Sequence, residues 1–382
     1  MVTKRKIDEY YMSRALSLAW RGVDAASPNP RVGCVLVKDG RVVGEGFHAR
    51  CGGPHAEAAA LADAARRGED VRGATAYVTL EPCSHYGKTP PCAPRLVEEG
   101  IARAVVGAVD PNPKVKGAGI EILQNAGVEV SCPCMEKECK WLNRGFFRSV
   151  TLNRPWITLK TASSLDGRMA LANGESKWIT GETARTWAHL LRAEHDGVLV
   201  GSGTIRADDP ELTVRRSCGK SPLRIILDSN LSISPDCRAV AGGSEGTGKC
   251  LVMTCGSFTK NGFAENLEKR RALERAGAEV CAVPEKEARV NLQGVLRELH
   301  AREVRSVLVE GGPRVLSAFI EAGLCDSLVL FTAGSVMGEG RGLGDGLSFE
   351  QMKDVARLRN VRARRAGSGF LVEGDFQCSP AL

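Results

Sequence analysis

With 382 residues the chain has room for two domains, and 43% hydrophobic with 25% charged residues is the composition of a globular protein, which excludes a disordered or fibrous chain. No apolar run approaches the roughly 20 residues of a membrane-spanning helix. The net charge of +7 comes from 52 basic and 45 acidic residues that are interspersed, so a phosphorylated small molecule is as good a ligand as a nucleic acid.

The start, Met1 to Lys6, is basic, but Ile7-Asp8-Glu9 follow where a signal peptide would carry its apolar core. A cytoplasmic protein is expected, and most of the 14 cysteines then read as reduced thiols. Residues 7–22 read as an amphipathic helix with Tyr10, Leu16 and Ala19 near one face. Pro28 and Pro30 hold Asn29 in a stiff, extended loop. An asparagine fixed in this way can donate to and accept from the amide-like edge of a ring; the alternative is an ordinary turn asparagine. Residues 32–37 and 41–47 flank Asp39-Gly40 as a hairpin, and His48 ends its second strand.

Gly52-Gly53-Pro54 leads into a helix over 55–67 whose first turn carries His55 and Glu57, so the positive end of the helix dipole lies nearby. A short buried strand over 74–80 comes next, with Cys83 just past its end and Cys92 opening another helix. His55, Cys83 and Cys92 are good zinc ligands, and a catalytic zinc needs three protein ligands and one open position. H-x-E followed by P-C-x-x-C is the pattern of zinc-dependent base deaminases, in which the glutamate is the general acid and base. Here Pro54-His55-Ala56-Glu57 supplies the first half, while eight residues separate Cys83 from Cys92. Within that spacer His85 and Lys88 are candidate phosphate donors, or else solvated loop residues. A closed structural zinc site, with Glu57 merely solvated, is the plain alternative.

Strands over 102–107 and 128–131 alternate with helices over 117–126 and 135–147, a βαβα pattern. Cys132-x-Cys134-x4-Cys139 is a second possible metal or redox cluster, though it lacks a histidine or fourth cysteine at standard spacing. Asn153-Arg154-Pro155 breaks the chain, giving expected domains of 1–150 and 151–382. Beyond it, 156–160 is a strand, 162–168 a polar turn, 182–193 a helix and 198–200 a buried strand. Gly201-x-Gly203 lacks the third glycine of a dinucleotide fingerprint. A better phosphate site is the turn Glu310-Gly311-Gly312-Pro313 between a strand over 304–309 and a helix over 314–322, with a ligand-free βα turn as the alternative. The glycine-rich run 338–346 reads as a mobile surface loop, and strands over 360–364 and 369–373 finish the sheet.

Read together, Pro28-Asn29-Pro30-x-Val32-Gly33, the string from Thr79 to Cys92, Ala162-Ser-Ser-Leu-Asp-Gly167 and Glu310-Gly-Gly312 make the chain resemble the bifunctional deaminase-reductases of riboflavin biosynthesis, over nearly its whole length. The resemblance implies an α/β protein of two three-layer αβα domains, cytidine-deaminase-like first and dihydrofolate-reductase-like second. It implies hydrolytic deamination of 2,5-diamino-6-(5-phosphoribosylamino)pyrimidin-4(3H)-one with one zinc per chain, then NADPH reduction of the ribosyl group of the product to ribityl. By position, Glu57 would move protons, and Asn29, His48, His85 and Lys88 would bind the first substrate. Ser176, Arg192, Leu212, Arg215 and Glu310 match positions for the second substrate, with Arg192 and Arg215 the candidates for its phosphate. Ala162, Trp178, Thr204, Asp208, Ser229 and the turn Gly312-Pro313-Arg314 match cofactor positions. Lys160, Asp208 and Glu310 would be the polar centre of the reductase, in roles left open. A cytoplasmic homo-oligomer acting on phosphorylated pyrimidines, without nucleic-acid or membrane partners, is the implied setting. The rivals are a nucleic-acid base deaminase and a non-catalytic zinc-binding module.

Overall fold

A computed structural model describes residues 3–23, 25–85, 90–113, 115–242, 248–255 and 263–382. It divides into Met1–Asn153 with Leu382, and Arg154–Ala381, each built on its own sheet.

In the first unit Thr3 caps helix α1 (Lys4–Ala19), its hydroxyl accepting the Lys6 N–H. The hairpin strands β1 (Gly33–Lys38) and β2 (Arg41–Phe47) turn at Asp39 and Gly40, whose φ angles of 49° and 74° are those of a turn matched to strand twist. There follow α2 (Ala56–Arg66), β3 (Thr75–Val78), α3 (Cys92–Glu98), β4 (Arg103–Val106), α4 (Ala118–Asn125), β5 (Glu129–Ser131), α5 (Glu136–Leu142) and α6 (Arg144–Leu152). The sheet order is β2-β1-β3-β4-β5, antiparallel from β2 to β3 and parallel from β3 to β5. Successive strand residues face opposite ways. Accordingly Leu36, Val78 and Ala104 pack with α2 to α4, while Val35, Val37, Tyr77 and Val105 pack with α1, α5 and α6. Two apolar faces on one sheet require three layers.

The helix α1 departs from its expected face. Tyr10 is 62% exposed, and the buried stripe is Asp8, Met12, Ala15, Leu16 and Ala19. Asp8 belongs to it because Arg103 donates twice to its carboxylate, at 2.8 Å each, and Tyr77 once at 3.1 Å. The single helix expected over 135–147 is two helices broken at Asn143. That side chain accepts the Arg31 N–H at 2.7 Å and donates to the Arg31 carbonyl at 2.9 Å, which pins the loop carrying Asn29. Cys132, Cys134 and Cys139 are free thiols and gather no metal-binding group among the described residues; burial pushes them up to about 11, 11 and 12.

The second unit comprises β6 (Trp156–Ser163), β7 (Arg168–Leu171), α7 (Glu182–Glu194), β8 (Gly197–Gly201), α8 (Ser202–Asp208), β9 (Leu223–Leu227), α9 (Arg238–Ala241), β10 (Cys250–Cys255), α10 (Phe263–Arg275) and β11 (Ala278–Val283). A small pair, β12 (Glu285–Lys286) and β13 (Arg289–Val290), precedes α11 (Leu292–Ala301), β14 (Ser306–Val309), α12 (Pro313–Glu321), β15 (Ser327–Thr332), β16 (Gly340–Gly342), β17 (Leu358–Ala366) and β18 (Gly369–Phe376). The main sheet runs β11-β10-β9-β8-β14-β6-β15-β18-β17; it is parallel as far as β15 and antiparallel over the last two pairings. Leu199, Ile225 and Leu251 join the cluster holding α11 and α12, and their neighbours Val198, Ile226 and Val252 join the cluster on the other face. This too is a three-layer αβα arrangement.

Two expectations fail here. Strand β6 continues through Ser163, so the polar turn is only 164–167. The run 338–346 is not a loose loop: β16 pairs with β7, because Asp166 accepts the backbone N–H groups of Met337 and Gly338 at 3.0 and 2.8 Å and ties the two segments together.

Candidate active sites

His55 is the N-cap of α2, with extended backbone (φ −69°, ψ 163°), so its ring projects beyond the helix start. Cys83 follows the end of β3, and Cys92 is the first residue of α3. The His55 Nδ1 stands 3.4 Å from each sulfur, and the three donor atoms lie within 4.8 Å of one another. Tetrahedral zinc with its usual bond lengths would set nitrogen and sulfur roughly 3.5 Å apart, so this donor set fits the metal in both chemistry and spacing. The Cys92 backbone N–H donates to the Cys83 sulfur at 3.2 Å. The hydrogen bond from the Cys92 thiol, together with one from His55, holds the Cys83 thiol down to about 4, while Cys92 is pushed up by the same pairing. Cys92→Ser is expected to give a chain that purifies without stoichiometric zinc, by atomic absorption, and releases no ammonia.

These donors line a cavity of about 320 Å³ that also takes in Asn29, His48, Glu57 and His85. Lys88 lies outside the described residues. Glu57, in the first turn of α2, is 4% exposed, hydrogen-bonds Cys92, and is raised to about 7 by burial. His48 donates from Nδ1 to the Pro54 carbonyl at 2.9 Å, an assignment made from the network, so its Nε2 accepts from the Asn29 amide at 3.1 Å. Burial lowers the His48 pKa and favours this neutral form. The asparagine is therefore held at the cavity wall by two independent ties, one through His48 and one through Asn143 and Arg31.

Sequence reasoning missed the opposite wall. Asp110 and Asn112 line the same cavity, brought there because β4 runs parallel to β3 and ends beside Cys83. Burial raises Asp110 to about 6, and its carboxylate accepts the Asn112 N–H at 2.8 Å. Behind them Glu81 is a clamp. It accepts backbone N–H groups from Asp110 (3.1 Å), Gly117 (3.0 Å), Gly119 (2.9 Å) and Ile120 (3.4 Å). A carboxylate at the start of α4 satisfies donors that a helix leaves unpaired. Gly119 is required by contact: a Cβ there would stand 1.9 Å from the Pro82 carbonyl oxygen. Gly119→Ala is expected to pry α4 from Glu81 and lower stability by about 1–3 kcal/mol, measured by thermal unfolding of the zinc-loaded chain.

In the second unit the structure brings all the residues named for it to one cavity of about 1400 Å³: Lys160, Ala162, Ser176, Trp178, Arg192, Thr204, Asp208, Leu212, Arg215, Ser229, Glu310, Gly312, Pro313 and Arg314. Gly312 caps α12 with no side-chain hydrogen bond, and Pro313 occupies the first helical position, so the helix N-terminus opens toward the cavity. That opening, the exposed Trp178 ring and the size of the space fit a dinucleotide.

The expected polar centre divides in two. Glu310 takes a bidentate pair from Arg192, at 2.6 and 2.9 Å, with the Lys160 ammonium at 3.6 Å. Burial alone would raise this carboxyl, but Arg192 and Lys160 hold it near 2. Asp208 instead faces Lys177 at 3.6 Å. Arg192 also donates to the Thr213 carbonyl at 3.0 Å, so its guanidinium is committed to protein groups, whereas among the described residues the Arg215 guanidinium hydrogen-bonds Glu211 and the Thr213 hydroxyl.

The regions that carry the two cavities each match a known family. The family model for the cytidine and deoxycytidylate deaminase zinc-binding region matches residues 5–108, and that for the RibD C-terminal domain matches residues 155–372. The riboflavin biosynthesis protein RibD of Aquifex aeolicus is 42% identical over 369 residues, covering 96% of this chain and 98% of that one. Its Escherichia coli counterpart is 41% identical over 374 residues, covering 94% and 97%. Among solved structures, Acinetobacter baumannii RibD superposes with a TM-score of 0.85 at 36% identity, over 98% of this chain and all of that one. A diaminohydroxyphosphoribosylaminopyrimidine deaminase/5-amino-6-(5-phosphoribosylamino)uracil reductase from Thermotoga maritima gives 0.84 at 38% identity, over 98% and 100%. Matched from end to end by such relatives, and carrying a zinc-ligand set and a dinucleotide-sized cavity in the two matching regions, the chain belongs to the RibD family of riboflavin biosynthesis proteins.

Proposed function

We propose that this chain is a bifunctional enzyme of riboflavin biosynthesis in which the first unit deaminates 2,5-diamino-6-(5-phosphoribosylamino)pyrimidin-4(3H)-one and the second reduces the ribosyl group of the product. One observation carries the first half: His55, Cys83 and Cys92 converge at the wall of a cavity that also holds Glu57, Asn29 and His48. Zinc, when bound there, lowers the pKa of water from 15.7 to about 7 and so provides a nucleophile at neutral pH. Glu57 takes a proton from that water and delivers one to the departing amino nitrogen. The Asn29 amide, held by His48, reads the edge of the pyrimidine ring. His85 and Lys88 serve the substrate phosphate.

In the second unit NADPH supplies the hydride. Trp178, Thr204, Ser229 and the start of α12 hold the cofactor, and Ser176, Leu212 and Arg215 hold the substrate. The paired geometry favours Arg215 for the phosphate and gives Arg192 the task of fixing Glu310. The large second cavity supports this reading over a nucleic-acid deaminase or a bare zinc module. Among the described residues no helix is long and apolar enough to cross a membrane. A cytoplasmic homo-oligomer working on small phosphorylated pyrimidines, with no nucleic-acid or membrane partner, completes the proposal.

The test is a coupled assay. Zinc-replete chain is given the diaminopyrimidine phosphate, and ammonia release and NADPH oxidation are followed separately. Ammonia first, with NADPH consumed only afterwards, is the expected course. Ammonia without NADPH oxidation would remove the reductase assignment, and neither signal from folded, zinc-loaded chain would remove both.

A further inference from the structure

Along α7, Arg185, Ala188, His189 and Arg192 recur at helical spacing, and all four line the second cavity. Both arginines are engaged within the protein: Arg185 donates to the Thr180 carbonyl at 2.8 Å and lies over the Trp178 ring, and Arg192 holds Glu310. His189 differs. It is 7% exposed, and its Nδ1 accepts the backbone N–H of Arg215 at 3.1 Å. A ring nitrogen that accepts does not carry the proton, so the neutral imidazole holds its proton on Nε2. Among the described residues that Nε2–H has no partner.

Its surroundings are cationic. The charges of Arg192, Arg215 and Arg216 act on the ring, and the acid that acts on it, Glu310, is taken up by Arg192. Burial, and then these charges, push His189 down to about 4, so near neutral pH it is a donor without a charge of its own. A neutral N–H on a residue that lines a cavity rich in arginine matches an anionic oxygen better than it matches a cation or an apolar group.

We infer that His189 is a further substrate-binding residue of the reductase: its Nε2–H donates to a phosphate oxygen of the substrate while its Nδ1 seats the Arg215 backbone, and with it the Arg215 guanidinium, beside the same phosphate. The inference rests on the reductase reading above. A phosphate of NADPH is the other source of such an oxygen in this cavity, and the test separates the two.

Two variants of the full chain divide the two ring atoms. His189→Asn keeps an acceptor where Nδ1 stands and lacks the far N–H; His189→Gln keeps the far N–H and loses the near acceptor. Reductase kinetics are measured with the deaminated phosphorylated substrate, with its unphosphorylated counterpart and with varied NADPH. For His189→Asn, KM for the phosphorylated substrate should rise about 10-fold or more, as for a lost hydrogen bond to a charged group. The loss should sit in KM rather than kcat and be absent for the unphosphorylated substrate and for NADPH. His189→Gln should recover the part owed to the far N–H and keep the part owed to the seat of Arg215; should His189→Asn not fold, as judged by NADPH fluorescence, His189→Phe, which lacks both hydrogen bonds, carries the same test. Equal losses with and without the phosphate, a rise confined to the KM for NADPH, or an unchanged KM would each overturn the inference while wild-type turnover left the reductase reading standing. Wild-type chain that oxidises no NADPH with the phosphorylated substrate would overturn the reductase reading, and the inference with it.

Discussion

Replacing Glu57 with glutamine should slow ammonia release by about 10²–10⁴-fold, the range that positioned general acid and base catalysis supplies. The substitution conserves volume in a position only 4% exposed, so packing is kept. It removes the one property that matters, a carboxylate able to take a proton and return it. Zinc should stay at one per chain, because the three donors converge without Glu57. NADPH oxidation with already deaminated substrate should also be unchanged, because Glu57 belongs to the first unit and the second cavity is lined wholly by residues of the second. Ammonia release within a few-fold of wild type would show that Glu57 does not carry the proton, and zinc lost together with activity would show that Glu57 serves the metal site.

The second large effect concerns Glu310. Glu310→Gln leaves the Arg192 and Lys160 side chains, 12% and 17% exposed, without their anion. Breaking a buried pair by neutralising one partner costs about 3–5 kcal/mol, because the remaining charge stays desolvated. The denaturant midpoint followed through loss of NADPH binding should fall accordingly, and reduction should cease while ammonia release continues. Glu310→Leu combined with Arg192→Met should recover much of the stability and none of the reduction, since it replaces the pair by apolar volume. The pH dependence has a definite sign. Pairing holds Glu310 near 2 against an ordinary 4.5, so its contribution is complete above pH 4.5 and drains as pH falls toward 2. An unfolding midpoint for Glu310→Gln equal to that of wild type would mean that the pair is not buried as described.

How much of this was legible before the fold depends on how local each signal is. The zinc donors were legible because ligand type and spacing mark them without any knowledge of the sheet, and Gly52-Gly53-Pro54 marks the helix start that presents His55. Asp110 and Asn112 were not, since Asp110-Pro111-Asn112-Pro113 reads as a turn until the parallel pairing of β3 and β4 carries it to Cys83. The commitment of Arg192 depends on a residue 118 positions away and is invisible to any local pattern. The break at Asn143 is marked in the sequence only by Gly145 two residues on, which a helix tolerates; a distant loop fixes it by hydrogen bonding to the Asn143 side chain. Tyr10 was misplaced because its apolar ring counts toward a core face, while the actual stripe admits the charged Asp8 that Arg103 and Tyr77 satisfy.

The Glu81 clamp has a consequence for when order is acquired. Four amides that belong to no strand ladder close on one carboxylate. The Asp110 amide and the start of α4 are therefore held once the chain folds, and little entropy is lost at those groups on meeting a ligand. Those amides should exchange with deuterium as slowly as the strands beside them, in the free protein as much as in the complex. Recognition at that wall is then rigid-body docking onto a surface already formed in the free protein.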